Sequence, residues 1–158
     1  SEFGQGTEWN FQEQLDWYVL QYKVHTGLQK TLIDINTLYK QTPALYEKQF
    51  DPSGFEWISH DDTANSVLSF IRWGNASDKA IICVFNMTPS PKSDYKVGVP
   101  FKGRFREIFN SDSVAYAGTG EYHNRVPKIQ DEGWNGKKHS VVIELAPLAG
   151  IVFELKRE

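Results

Sequence analysis

Residues 66–87 read SVLSFIRWGNASDKAIICVFNM, and they decide the fold. The first eight alternate: Val67, Ser69, Ile71 and Trp73 fall on one side, and Leu68, Phe70 and Arg72 on the other. That period of two belongs to a strand rather than a helix. Ala80 to Met87 is nearly continuously apolar, as a central strand covered on both faces requires. Gly74, Asn75, Ala76, Ser77 and Asp78 between them are turn formers, so the two segments are predicted to pair as a β-hairpin.

Working outward toward the C-terminus, YKVGV (95–99), RFREIF (104–109), HSVVIEL (139–145) and GIVFELK (150–156) are further strand candidates. TPSPKSD (88–94), AGTGEYHN (117–124) and DEGWNGKK (131–138) between them are loops by composition. Several short strands separated by turn signals predict an antiparallel β-sandwich.

Working the other way, the turn Asp51-Pro52-Ser53-Gly54 marks a natural boundary, giving a lead of residues 1–50 and a sandwich of residues 51–158. The lead is helical. Thr26 has the chemistry of an N-cap, and Gln29 three residues later completes a capping box. Leu28, Leu32, Ile35, Leu38 and Tyr39 recur at spacings of three and four, forming an apolar stripe on a helix of about four turns. Pro43 ends it, because the residue before a proline is pushed out of the α region. LDWYVLQY (15–22) reads equally as a short helix or an extended segment. Residues 1–14 read as a loop that needs a scaffold.

The chain has 158 residues, with 20 acidic and 17 basic side chains. One domain of that size buries roughly two-thirds of its unfolded surface. A complete (β/α)₈ barrel, at about 200–250 residues, does not fit. The net charge of −3, with no run of Lys or Arg, argues against nucleic acid and anionic membrane as partners. No apolar run approaches the roughly 20 residues of a membrane-spanning helix. The single cysteine, Cys83, fits a reducing, cytoplasmic setting. Because the chain starts at Ser1 and its one methionine is Met87, it reads as a piece of something longer.

Chemistry-bearing motifs are sparse. His25, His60, His123 and His139 are scattered, without the clustering that a metal requires, and no cofactor is expected. Asp61 and Asp62 read as a solvated pair. Cys83, in an apolar run, reads as a buried small hydrophobe rather than a nucleophile. Gly118-Thr119-Gly120 has no helix after it and reads as a turn, not a phosphate loop. Glu2, Glu8, Glu13 and Asp16 gather at the N-terminus, but nothing in this chain frames a catalytic cleft around them. The aromatics say more. Trp57 beside Glu56 reads either as an edge or hinge tryptophan packing on the helix, or as a flat apolar ring with hydrogen-bond acceptors, the combination that stacks on sugars and binds their hydroxyls. Trp9 is a weaker candidate of the same kind. Trp17 reads either way, Trp73 reads as core, and Trp134 sits in a polar loop where exposure is expected.

SEFGQGTEWN (1–10), LDW (15–17), a helix ending near TPAL (42–45) and FDPSGFEW (50–57) resemble the C-terminal third of bacterial 1,4-α-glucan branching enzymes of the α-amylase superfamily. SVLSFIR (66–72), VFNMTPSP (84–91), DYKVGVP (94–100), REIFNSD (106–112) and HSVVIELAPLAGIVFE (139–154) keep the same order and register. The resemblance covers essentially the whole chain. Met87 stands where Phe is common, and AGTGEYHN (117–124) departs in a loop; neither position carries chemistry.

The resemblance implies a parent enzyme of glycogen biosynthesis that cleaves an α-1,4 linkage and transfers the freed chain to a 6-hydroxyl. Its Asp nucleophile and Glu acid/base would lie on barrel strands outside this chain, so no residue here inherits a catalytic role. It also implies that residues 1–50 are the last loop and helix of the barrel, with residues 51–158 the C-terminal all-β sandwich. The implied partners are the barrel of the same chain and α-glucan, contacted through Trp57, Glu56 and Trp9. A free-standing carbohydrate-binding module, or the sandwich of a debranching or trehalose-forming relative, is the alternative.

Overall fold

The computed structural model describes residues 2–158. A 3₁₀ turn, Trp17–Gln21, leads into helix α1, Lys23–Gln41, and two more such turns follow at Pro43–Leu45 and Pro52–Gly54. The strands are β1 (Phe55–Asp62), β2 (Val67–Arg72), β3 (Lys79–Asn86), β4 (Lys92–Val99), β5 (Arg104–Asn110), β6 (His139–Leu145) and β7 (Gly150–Lys156). A five-stranded sheet runs in the order β1-β2-β3-β7-β5, and β4 pairs with β6 in a two-stranded ribbon. All pairings are antiparallel.

The 66–87 hairpin forms as its pattern dictates, with Ile71 opposite Ile82 and Val67 opposite Asn86. This register puts Val67, Ile71, Ile82 and Val84 on the face turned to the ribbon, where they meet Val97, Val99, Val141, Ile143 and Leu145. From β7, Ile151, Phe153 and Leu155 join the same layer, and Phe153 stacks on Phe105 of β5 at 4.6 Å. Each such side chain contributes about 1.5–3 kcal/mol on burial, which makes this layer the stabilising centre of the molecule. The opposite face of β3 is covered too: Ile81 and Cys83 are buried.

Strand β1 is not among the sequence-predicted elements. Its second half, Ser59-His60-Asp61-Asp62, is polar, and its pairing with β2 is broken by register shifts around Ser59. Edge strands carry this kind of charge and irregularity.

The helix differs from expectation at its start. It begins at Lys23 with Tyr22 in the cap position and no side-chain cap, so Thr26 is not the N-cap. The preceding 3₁₀ turn starts the helix earlier, because the Tyr22 carbonyl already accepts the Thr26 N–H at 3.1 Å. The Thr26 hydroxyl donates back to the carbonyls of Tyr22 and Lys23 instead. The C-terminal end agrees with the reading of Pro43, which opens the next 3₁₀ turn. The apolar stripe stays largely open. Leu32 and Leu38 are half-buried, while Leu28, Ile35 and Tyr39 are exposed, and the only buried residue of α1 is Gly27.

Two anchorages hold α1. Gly27 lies against the Tyr116 carbonyl so closely that a Cβ there would overlap it. The Tyr116 hydroxyl donates to Asp34 at 2.8 Å, and Asp34 also pairs with Lys30. The N-terminal loop packs on the helix start. Phe3 is buried and stacks on Trp17 at 5.0 Å, and Thr7 donates to Asp16 at 2.6 Å. His25 Nδ1 sits 2.8 Å from the Phe3 carbonyl and donates to it, since a carbonyl only accepts.

Candidate functional site

Glu56 and Trp57 are neighbours in sequence but not in space. Because β1 is a strand, successive side chains leave it on opposite faces. Trp57 pairs with Phe70 on the outer face of the sheet, whereas Glu56 pairs with Ile71 and turns inward. The ring and the carboxylate are therefore presented on opposite faces of β1, each to its own surroundings.

Each carboxylate oxygen of Glu56 has a partner. Its Oε2 accepts the Trp73 indole N–H at 3.0 Å, and its Oε1 accepts from the Lys137 ammonium. Partial burial works against its ionisation, but the hydrogen bonds from Lys137 and Trp73 outweigh it and hold the carboxyl below its ordinary pKa. Trp73, just past the end of β2, is partly buried and packs against the core.

Trp57 is the centre of an aromatic surface. Phe55 meets it edge-on at 4.9 Å, Phe70 at 5.9 Å and His60 at 5.6 Å. Phe70 continues the row to Phe85 at 5.9 Å. Trp57 remains 46% exposed, so a supported flat ring is presented to solvent. Trp9 is 70% exposed in the N-terminal loop, and Trp17 is 52% exposed although it stacks on Phe3.

A feature that the sequence reading did not assemble lies at the other side of β1. An open cleft of about 540 Å³ lies between β1, β4 and the 131–138 loop, bordered by Trp134, Asp61, Asp62, Asn65, Lys92 and Asp94. The loop is held rigidly. Asn135 and Gly136 both have positive φ, and the backbone bonds between Trp134 and Lys137 close a two-residue hairpin over them. Asn135 Oδ1 accepts the Gly98 N–H at 3.2 Å, and the missing Cβ of Gly98 lets the Trp134 carbonyl lie against β4. Lys96 stands 5.1 Å from the Trp134 ring centroid and pairs with Glu132 at 2.6 Å. Across the cleft, Asp62 accepts from the Tyr95 hydroxyl at 2.7 Å and from Asn65. Burial opposes its ionisation, but these hydrogen bonds keep the carboxyl below its ordinary pKa. The Asp61–Asp62 pair is thus divided: Asp61 is exposed, and Asp62 is built into the β1–β4 junction. The legible signal was Asn135-Gly136, a strong hairpin dipeptide.

Among the described residues, no three His, Cys, Asp or Glu side chains gather into a metal-holding group. No described helix is long and apolar enough to cross a membrane. Burial pushes the Cys83 thiol up to about 12, which leaves it unreactive as a nucleophile.

The profile of the family "Alpha amylase, C-terminal all-beta domain" matches residues 57–156. The chain is similar to the 1,4-alpha-glucan branching enzyme GlgB of Pseudomonas syringae pv. tomato, 42% identical over 99% of this chain and 21% of that protein. It is 44% identical to GlgB of Nitrosococcus oceani over 98% of this chain and 20% of that protein, and 43% identical to GlgB of Synechococcus elongatus over the same shares. The chain thus spans about a fifth of the length of these curated relatives. Among solved structures, an α-amylase from H. orenii superposes with a TM-score of 0.50 at 18% identity, over 82% of this chain and 20% of that one; this likeness concerns the fold alone.

Proposed function

Since the chain belongs to the family of α-amylase C-terminal all-β domains, we propose that it is the non-catalytic C-terminal portion of a 1,4-α-glucan branching enzyme acting in glycogen biosynthesis. The observation that carries this reading is identity of 42–44% with branching enzymes across nearly every residue of the chain. The catalysis, cleavage of an α-1,4 linkage and transfer of the chain to a 6-hydroxyl in the cytoplasm, belongs to a barrel outside these residues.

Two roles follow for the chain itself. Residues 1–50 complete the barrel with its last loop and helix, and residues 51–158 brace it as a sandwich. The apolar side of α1 supports this role: Leu28, Ile35 and Tyr39 lie exposed on one stripe, and a barrel would cover them. The second role is contact with α-glucan through Trp57, with Trp9 as an additional ring. The exposure of both indoles, and the buttressing of Trp57 by Phe55 and Phe70, support it.

A chimera tests the first role. This chain replaces the terminal portion of the Synechococcus elongatus enzyme, and branching of amylose is followed by the loss of iodine colour. Restored branching, with no branching from either part alone, is the expected result. A chimera that folds but never branches overturns the assignment. For the second role, the chain is run through gels containing glycogen; retardation that Trp57→Ala reduces is expected, and unretarded migration of the parent chain overturns glucan contact.

A further inference from the structure

We propose that the cleft bordered by Trp134, β1 and β4 is a second α-glucan contact, separate from the Trp57 surface. The proposal rests on the reading of the chain as part of a glucan-processing enzyme and assigns that ligand a further place to bind.

Three observations carry it. The first is a rigid, half-exposed indole. Trp134 keeps 46% of its surface open although its loop is fixed by the Asn135-Gly136 hairpin, the Asn135–Gly98 hydrogen bond and the Lys96–Glu132 ion pair. A ring immobilised before the ligand arrives loses little entropy on binding. The second is the cleft's polar side. Asp61 and Asp94 are exposed at its rim, where carboxylates accept hydrogen bonds from sugar hydroxyls. Asn65 donates to Asp62, and Asp62 also accepts from the Tyr95 hydroxyl, so the two shape the wall. The third is the charge. Asp61, Asp62 and Asp94 outnumber Lys92 and Lys96, and Lys96 is occupied by Glu132. That balance repels phosphates and nucleotides and suits an uncharged, polyhydroxylated ligand. An aromatic plate beside convergent hydrogen-bonding groups is the recognition chemistry of a sugar ring.

The test uses the chain's five tryptophans, whose indole N–H groups each give one magnetic-resonance signal. The isotope-labelled chain is titrated with maltoheptaose, and the Trp134 signal is assigned by its absence in Trp134→Phe. The expected result is a saturable movement of the Trp134 signal that persists in Trp57→Ala. In Trp134→Ala, movement of the Asp61 and Asp94 amides should need about tenfold more ligand. Phe at position 134 keeps a flat ring and should retain most of the affinity, so a fold lost only in the Ala variant does not blur the outcome. If the Trp57 signal moves while Trp134 stays still, the second contact is overturned and the glucan reading stands. If no indole moves, both are overturned for this chain. Equal movement with cellohexaose overturns the assignment to α-linked glucan.

Discussion

The Trp73 indole donates to Glu56 at 3.0 Å while Lys137 holds the same carboxylate from the other side, so one edge-strand residue ties β1 to the core and to the 131–138 loop. Lys137 is only 13% exposed in its side chain, whereas Glu56 is 42% exposed. Glu56→Gln keeps an acceptor for Trp73 but leaves Lys137 without its counter-charge. Solvent screening at Glu56 limits the expected loss to about 1 kcal/mol. The pH dependence has a definite sign. The carboxyl is held below its ordinary 4.5, so its contribution is complete above that value and is lost as the pH falls through the lower folded value. Urea unfolding should therefore show the wild type more stable than Glu56→Gln near neutrality, with the gap closing in acid. A gap independent of pH would refute this account.

Tyr116 fastens α1 to the body of the molecule through Asp34, and the phenol is pushed up to about 12 by burial and by its bond to that carboxylate. The neutral phenol is favoured by the fold, so its contribution is intact below the ordinary value of 10 and is lost as the pH rises from there through about 12. Amide exchange in residues 23–41 should accelerate over that range before the β-strands respond. Tyr116→Phe should show the same faster helix exchange already at neutral pH, with the sheet unchanged. Uniform acceleration across helix and sheet would contradict a separate anchorage.

Cys83 supplies a probe of global unfolding. Its thiol is 5% exposed and is pushed from 9.0 to about 12, so at mildly alkaline pH the thiolate population is about a thousandfold below that of a free cysteine. Because Cys83 lies mid-strand between Phe70 and Val152, only loss of the sheet opens it. Labelling by a disulfide reagent should be slow in the native chain and should follow the same urea midpoint as far-ultraviolet dichroism. Fast labelling without denaturant would show a local opening of β3.

Much of this architecture is legible in sequence because burial leaves a period. Strands β2, β3, β6 and β7 alternate or run apolar, and each lies where its pattern places it, since a one-residue slip would expose its whole core face. The period fails where burial is incomplete. Strand β1 is an edge with polar Ser59 to Asp62, and without its period of two the opposite directions of Glu56 and Trp57 are not legible. The helix start was misplaced because Thr26 has cap chemistry, while the preceding 3₁₀ turn already supplies the first bonds. The Trp134 cleft draws on β1, β4 and a distant loop, and only the β1–β4 junction through Tyr95 and Asp62 brings them together. The family resemblance spanned the entire chain, but it did not say which way any side chain points.

Gly98 links that cleft to a single backbone position. A Cβ at 98 would run into the Trp134 carbonyl, a backbone atom that moves only if the loop moves. Gly98→Ala gains about 0.4–1 kcal/mol by restricting the unfolded chain, but overpacking against backbone costs about 1–3 kcal/mol, so the net effect is destabilising. The loop should lift, breaking the Asn135–Gly98 hydrogen bond and drawing Trp134 away from Lys96. Trp134 would then lose its fixed orientation while Trp57 keeps its own, since Phe55 and Phe70 are untouched. In the indole spectrum, the Trp134 signal of Gly98→Ala should shift and broaden and its response to maltoheptaose should weaken, with the Trp57 signal in place. An unchanged Trp134 signal would mean that the loop is not held by its close approach to β4.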